Sequence, residues 1–143
     1  RVACASVKVA GTTVAEIGLG YLVLLGVARQ DTYGDAAYVA AKTLGLRSFE
    51  DPAGLMNLSI QDVGGQILVV SQFTLCGDCR NGRRPSFSAA ADPENAKKLY
   101  EAYIAELSVS GLIVRSGIFQ AMMEVSLVND GPVTLLIDST KLF

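Results

Sequence analysis

The run YLVLLGVA at residues 21–28 constrains the fold more than any other stretch of the sequence. A strand with one face in water alternates apolar and polar residues, whereas a strand covered on both faces is apolar throughout. This run shows no alternation, and it is far shorter than the roughly 20 residues that a membrane-spanning helix needs. We therefore predict a central strand, in a sheet that other elements cover on both sides.

Other segments supply the rest of the sheet. The turn at Ala10-Gly11 joins two strand-like segments into an opening hairpin. A second, short hairpin is predicted from LRSFE to MNLSI around the turn DPAG, and Val63-Gly64-Gly65 ends it. We predict that QILVVSQFTL, residues 66–75, is the longest strand, and that strands close the chain near residues 112–115, 122–128 and 132–138.

Two helices are predicted between these strands. Asp31-Thr32 can cap a helix over residues 33–44, whose buried stripe would be Ala36, Ala37, Ala40, Ala41 and Leu44. Asp92-Pro93-Glu94 has the cap and first-turn proline of a helix that runs to about Ser108. We read one domain over residues 1–143, of the mixed α/β class, with a twisted mixed sheet flanked by two main helices.

Composition excludes several kinds of chemistry. The sequence has no histidine, which removes Ser-His-Asp and Cys-His catalysis and His-ligated zinc, and no phosphate-loop or dinucleotide motif is present. We expect neither a metal nor a cofactor.

The net charge of −2 means that any nucleic-acid contact must come from a local patch. Three cysteines and a start unlike a signal peptide favour the cytoplasm, with no membrane contact, and we expect a few residues to precede Arg1.

Two features of residues 76–84 could carry function. The CGDC motif (Cys76 to Cys79) is followed by loop residues and not by the helix of a redox CxxC site, so incidental cysteines are favoured over thiol-redox or metal use. The loop RNGRR places Arg80, Arg83 and Arg84 where their guanidinium groups could contact several phosphates, and a solvated basic loop is an equally good reading. Lys97 and Lys98 could extend this patch, or could simply be exposed helix lysines.

Two further motifs combine turn and strand-end residues. SQFTL, residues 71–75, closes the long predicted strand with a hydroxyl and an amide that could line a cleft. NDGPVT, residues 129–134, puts a proline where a hairpin needs only Asp-Gly, although proline cannot donate to a sheet.

Together these motifs resemble the signatures of D-aminoacyl-tRNA deacylases. GLGYLVLLGVA, LRSFED, MNLS, DVGG, GRRPSFSAAA and VSLVNDGPVTLLIDS resemble the same family in the same order, over essentially the whole chain.

The resemblance implies a fold, a substrate and a site. The mixed sheet would curl toward a barrel. Family members are homodimers that hydrolyse the ester joining a D-amino acid, or glycine, to the terminal adenosine of tRNA. The resemblance implies that Gly131-Pro132 is cis and enters the partner subunit's pocket, where it excludes L-amino acids. The facing catalytic segment would be Ser71, Gln72, Phe73 and Thr74, with Asn129, Thr134, Phe119 and Met123 as substrate contacts and Arg80, Arg83 and Arg84 as tRNA phosphate contacts.

The cleavage chemistry stays open at this stage. Thr74 is a weak nucleophile without an activating base, so we expect the ribose 2′-hydroxyl of the substrate to assist while backbone amides near Gln72–Thr74 hold the oxyanion. Phe119-Gln120-Ala121-Met122-Met123 departs from the family pattern at Gln120 and Met122. The alternatives are a deacylase with a trans Gly-Pro and relaxed chirality, a non-catalytic nucleic-acid-binding module and a thiol-redox protein.

Overall fold

The computed structural model describes residues 1–142, and its elements are numbered in chain order. The strands are β1 (Val2–Val9), β2 (Thr12–Ile17), β3 (Gly20–Leu25), β4 (Phe49–Glu50), β5 (Met56–Leu58), β6 (Gln66–Ser71), β7 (Val114–Ser116) and β8 (Glu124–Asn129). The helices are α1 (Tyr33–Gly45) and α2 (Pro93–Ser108), and a 3-10 turn, Phe73–Cys76, follows β6. Within residues 1–142, no helix has both the length and the apolar character that crossing a bilayer requires.

The main sheet is mixed and strongly curled. Its order is β2-β1-β3-β6-β7, with β8 on the free edge of β1. The β1–β2 hairpin is antiparallel, and its turn places Ala10 and Gly11 in the left-handed region (φ 49° and 78°). β3, β6 and β7 are parallel to one another. Because β2 also lies against β6 and β7, the sheet bends toward a barrel, which confirms the predicted fold class.

The centre of the sheet is β6, whose Ile67, Leu68, Val69 and Val70 are all at most 1% exposed. Ile67 and Val69 face a core formed with the two helices, whereas Leu68 and Val70 face a second core formed with β1 and β2. A parallel strand covered on both faces is expected to be this uniformly apolar. β3 lies between β1 and β6, so the central position predicted for YLVLLGVA is confirmed.

Both helices begin where their caps predict. The Asp35 carboxylate accepts hydrogen bonds from the backbone and hydroxyl of Thr32 (2.8 and 2.7 Å), and Asp92 accepts from the amide of Asn95 at 3.0 Å. The predicted stripe of α1 is wrong at Ala41, which is exposed, while Thr43 is buried. The reason is the contact with α2, where the Tyr103 hydroxyl lies 2.8 Å from Thr43 Oγ1 and draws that face of α1 inward.

The strand predicted over residues 66–75 is shorter than expected, since β6 ends at Ser71 and the chain turns into the 3-10 segment. The reason is loss of neighbours: β3 ends opposite Ser71, and β7 ends opposite Val69. Without a ladder on either side, the backbone satisfies its groups locally, with bonds from Leu75 to Gln72 (3.2 Å) and from Gly77 to Thr74 (3.0 Å).

The strand predicted near residues 132–138 is also not found. β8 pairs only with β1, and no backbone partner for residues 134–137 is found within residues 1–142, so this segment has no ladder to join. Val133 is buried, but Leu135 and Leu136 are 56% and 73% exposed. These two adjacent leucines form an exposed apolar patch.

Candidate active site

The carboxyl ends of β3, β6 and β7 meet at one edge of the sheet, which is where parallel sheets usually hold their ligands. Ser71 is the last residue of β6, Gln72 caps the 3-10 turn, and Phe73 and Thr74 begin it. Ser71 and Gln72 are half-buried, whereas Phe73 and Thr74 are exposed. The SQFT segment therefore forms a rim at this edge, with its last two residues open to solvent.

The turn leaves two backbone donors free. The amide of Gln72 donates to the Leu25 carbonyl oxygen at 2.8 Å, so it is already used. The amides of Phe73 and Thr74 open the 3-10 segment, and no acceptor for either is found within residues 1–142. Two adjacent free amides at an exposed rim are suited to hold a developing oxyanion.

The hydroxyl of Thr74 is not set up as a nucleophile. The side-chain amide of Gln72 donates a short hydrogen bond to Thr74 Oγ1. A donor on this oxygen occupies a lone pair and removes no proton, so it does not activate the hydroxyl. The contact instead fixes the two side chains to each other. Gly26 lies against the same turn, since a Cβ at this glycine would lie 3.1 Å from Leu75 Cβ.

Phe119 and Met123 lie beyond the end of β7, at the same edge. The Phe119 ring stands 5.7 Å from that of Tyr100, whose hydroxyl donates to the Val69 carbonyl oxygen at 2.9 Å. Met123 packs on Gly117, where a Cβ would come within 2.6 Å of the methionine sulfur. Both side chains are half-buried. Met122, which departs from the family pattern, is 91% exposed.

The predicted residues of the NDGPVT motif follow a different strand, β8. The cis peptide Gly131-Pro132 follows β8, and Asn129, Gly131, Pro132 and Thr134 are all exposed. Thr134 Oγ1 lies 3.5 Å from Asn129 Oδ1. A Cβ at Gly131 would come within 2.9 Å of Asn129 Nδ2, the end of an exposed side chain. Asn129 pairs with Val2, and Val2 faces Gly20. Because β1 is antiparallel to both β8 and β3, the turn continues from this level in the same direction as β3.

Sequence reasoning missed Arg1, which supports this turn. Its guanidinium lies 5.7 Å from the Phe49 ring centroid, its Nη2 is 3.8 Å from Glu50 Oε1, and its Nη1 donates to the Ser48 carbonyl oxygen at 2.6 Å. The side chain is only 7% exposed. An arginine directly before the strand VACASVKV was the available signal, because a guanidinium that is buried there needs partners.

Only some arginines of the loop RNGRR, residues 80–84, lack an acidic partner within residues 1–142. Asp78 and Ser86 exchange two backbone hydrogen bonds (2.8 and 2.9 Å), which close a hairpin-like loop. Arg80 forms a two-pronged ion pair with Asp78 (2.9 and 2.8 Å), and this pair holds the pKa of Asp78 well below its usual range. No acidic partner of Arg83 or Arg84 is found within residues 1–142. Lys97 and Lys98 pair with glutamates of their own helix, 3.8 and 2.7 Å away.

The CGDC cysteines do not show the environment of a redox pair. Burial, with Asp31 and Asp138 nearby, raises the pKa of the Cys76 thiol above its ordinary value of 9.0. Reactive CxxC motifs require the opposite shift, toward the thiolate. Among residues 1–142, the acidic and sulfur side chains form no group of three that could hold a metal ion.

Comparison with known proteins gives a consistent result. The family model described as D-Tyr-tRNA(Tyr) deacylase matches residues 1–138. A protein of Desulfitobacterium hafniense (strain DSM 10664 / DCB-2) named D-aminoacyl-tRNA deacylase is 59% identical, over 100% of this chain and 96% of its own. A solved structure named c-Myc DNA Unwinding Element Binding Protein superposes with a TM-score of 0.88 at 39% identity, covering 94% of this chain and 92% of its own.

A second solved structure, described as a probable eukaryotic D-amino acid tRNA deacylase, has a TM-score of 0.78 at 18% identity, over 92% of this chain and 91% of its own. That likeness concerns the fold alone. The family model and the named relative place the protein among the deacylases, a class of hydrolytic enzymes. Within that class, the chain belongs to the D-Tyr-tRNA(Tyr) deacylase family.

Proposed function

We propose that this chain hydrolyses the ester between a D-amino acid, or glycine, and the terminal adenosine of tRNA, as a homodimer whose two sites each combine both subunits. Family membership supports the reaction class. One structural observation supports the shared site: the SQFT rim follows β6 and the Gly131-Pro132 turn follows β8, with β3 and β1 between these two strands. In the proposed dimer, the turn of one subunit approaches the rim of the other.

The strand order provides the scale of this separation. The turn follows β8 and the rim follows β6, and β1 and β3 lie between these two strands in the sheet. Three strand spacings are about 14 Å, so the two segments are about that far apart across the sheet within one chain.

Exposed apolar residues support the association of two copies. Leu127 and Val128 of β8 are 48% and 55% exposed, close in sequence to the unpaired Leu135 and Leu136. A backbone segment without ladder partners and a set of exposed aliphatic side chains are both features that a second chain would cover. The proposed dimer buries this surface and carries the turn to its position.

Selection against L-amino acids follows from the turn in this arrangement. Carbonyl oxygens of Gly131 and Pro132 would accept from the α-ammonium group and occupy the space into which an L side chain projects. Because the turn excludes the L-enantiomer and fits no particular side chain, many D-amino acids and glycine should be accepted. Glycine at residue 131 keeps that approach free of a Cβ.

Hydrolysis in this proposal needs little side-chain chemistry. Water attacks the ester carbonyl carbon, the free amides of Phe73 and Thr74 hold the oxyanion, and the ester C–O bond breaks as the 3′-oxygen takes up a proton. The substrate 2′-hydroxyl hydrogen-bonds the attacking water and orients it. The bond from Gln72 to Thr74 Oγ1 supports this division of roles, since it leaves the protein hydroxyl unactivated.

The test of the reaction is deacylation of D-Tyr-tRNA, L-Tyr-tRNA and Gly-tRNA by the purified protein. We expect rapid hydrolysis of the D and glycyl substrates and slow hydrolysis of the L substrate. Comparable rates on both tyrosyl enantiomers would support the relaxed-chirality alternative. Binding of tRNA without hydrolysis of any ester would support a nucleic-acid-binding module, in line with the name of the solved structure that is 39% identical.

The test of the shared site is complementation. Phe73→Pro removes one oxyanion donor, and Gly131→Val obstructs the turn, so each variant alone should be inactive. In a mixed dimer, one site has both changes and the other has neither. Random reassembly should therefore restore about a quarter of the wild-type activity if each site uses both chains. No recovery, with mixed dimers present, would place both segments of a site in one chain.

A further inference from the structure

Phe73 and Phe87 form an aromatic pair on the surface beside the rim. Their ring centroids are 5.1 Å apart at an interplanar angle of 66°, an edge-to-face arrangement. Phe73 is 59% exposed and Phe87 is 37% exposed. Core aromatic pairs are buried, so a pair with this much open ring surface is available to a ligand.

The pair is held in place by the arginine loop. Phe87 follows Ser86, where the two backbone bonds with Asp78 close the loop. Its ring also covers Gly77, since a Cβ at that glycine would lie 3.0 Å from the ring and 2.9 Å from the Thr74 carbonyl oxygen. The ring is therefore attached both to the loop and to the 3-10 turn that contains Thr74.

Positive charge borders the exposed rings. Arg84, Pro85, Ser86 and Phe87 line a cavity of about 450 Å³. Arg80 is neutralised by Asp78, whereas Arg84 and Arg83 have no acidic partner within residues 1–142. Aromatic faces flanked by unpaired arginines are the usual means of binding single-stranded nucleic acid, because bases stack and guanidinium groups contact phosphates.

We propose that Phe73 and Phe87 form a stacking platform for the unpaired nucleotide that precedes the terminal adenosine of the substrate, with Arg83 and Arg84 at its phosphates. This inference rests on the proposed function, which places the terminal ester at Thr74. The nucleotide on the 5′ side of that ester must leave the site across an adjoining surface. Phe87 then becomes a specificity residue that distinguishes a nucleic-acid ester from a simple one.

The experiment compares two substrates that share the reacting group. One is D-tyrosyl-adenosine, and the other is the D-tyrosyl ester of a short RNA that carries the last four nucleotides of tRNA. Phe87→Leu keeps an apolar side chain over Gly77 but removes the ring. We expect it to raise KM for the RNA ester by about 5-fold to 100-fold, the range of one stacked base, with kcat unchanged. KM for D-tyrosyl-adenosine should change less than about twofold.

Two variants and one binding measurement sharpen the result. Phe87→Tyr retains a ring and should restore KM for the RNA ester. Tyr33→Leu removes another exposed aromatic side chain, at the start of α1, and should leave both substrates unaffected. Fluorescence anisotropy with the uncharged RNA measures the platform without any reaction, and Phe87→Leu should weaken this binding as much as it raises KM.

Three outcomes would overturn the platform. Equal losses on both substrates would mean that Phe87 only supports the Thr74 turn. Dissociation of Phe87→Leu in sedimentation would mean that a second copy of the chain covers the rings. No change in KM or in RNA binding would mean that no base stacks there. Failure of the proposed function is seen separately, because the wild-type protein would then bind the RNA but hydrolyse neither ester.

Discussion

Nε of Arg1 lies 2.7 Å from Oδ2 of Asp130, an ion pair in which Nε makes no directed hydrogen bond within residues 1–142. The two backbones are also joined, since the Asp130 amide donates to the Arg1 carbonyl oxygen at 2.9 Å. The backbone nitrogen of Arg1 donates to the Val133 carbonyl oxygen at 3.1 Å. One arginine therefore fastens both sides of the Gly131-Pro132 turn to the start of β1 and, through Ser48, to the β4 region.

Replacing Arg1 should destabilise the fold and disturb the turn. Arg1→Ala removes the bond to Ser48 and leaves the Asp130 carboxylate unpaired, so we expect the free energy of unfolding to fall by about 2–4 kcal/mol in urea titrations. Arg1→Lys should recover only part of this loss, because an ammonium group cannot reach all the partners of a guanidinium. The control is Arg47→Ala, an exposed arginine, with a change below about 0.5 kcal/mol. Equal losses for both arginines would contradict this role.

Thr74 should be dispensable for bond cleavage. Its hydroxyl accepts from Gln72 and has no base beside it, so we expect Thr74→Ala to keep deacylation of D-Tyr-tRNA within about tenfold of wild type. A substrate ending in 2′-deoxyadenosine should react at least about 100-fold more slowly. Single-turnover rates measure both, and Thr12→Ala on β2 is a matched surface control. Loss of activity in Thr74→Ala, with full activity on the deoxy substrate, would mean that Thr74 and not the 2′-hydroxyl is needed for cleavage.

The CGDC thiols should not be required. Because the pKa of Cys76 is raised, its thiolate fraction at any given pH is smaller than that of an ordinary thiol, and its alkylation should be slower. Exposed Cys79 should be labelled before Cys76, as mass spectrometry after timed iodoacetamide treatment can show. Cys76→Ser and Cys79→Ser should retain deacylase activity. Fast labelling of Cys76 at pH 7 would favour the thiol-redox alternative.

A buried hydrogen bond should couple the two helices. The Thr43 hydroxyl donates to the Val39 carbonyl oxygen at 2.9 Å, so it accepts from Tyr103, and burial raises the pKa of Tyr103 to about 12. Tyr103→Phe and Thr43→Val should each lower the free energy of unfolding by about 1–2 kcal/mol, and the double variant should lose less than their sum. Tyr33→Phe, at an exposed tyrosine, is the control. Strict additivity would mean that the pair does not interact.

Much of the fold could be predicted from local signals. The caps at Thr32 and Asp92 place the two helix starts, and the uniformly apolar run YLVLLGVA places β3 in the centre of the sheet. These signals succeed because a cap or an apolar run acts on its own neighbours in sequence. The predicted strand past Ser71 failed because its period of two continues in the sequence after the neighbouring strands have ended.

The sequence by itself determined the family, the mixed α/β class and the two motifs that define the candidate site, since each depends on residue types at fixed spacing. Only the tertiary structure decided that those motifs follow two strands separated by β1 and β3 and that Phe87 packs on the Thr74 turn. It also decided that Arg80 has an acidic partner while Arg83 and Arg84 have none within residues 1–142. Such relationships join residues that are distant in sequence. They depend on strand register and on which neighbour is present, and no local pattern encodes either.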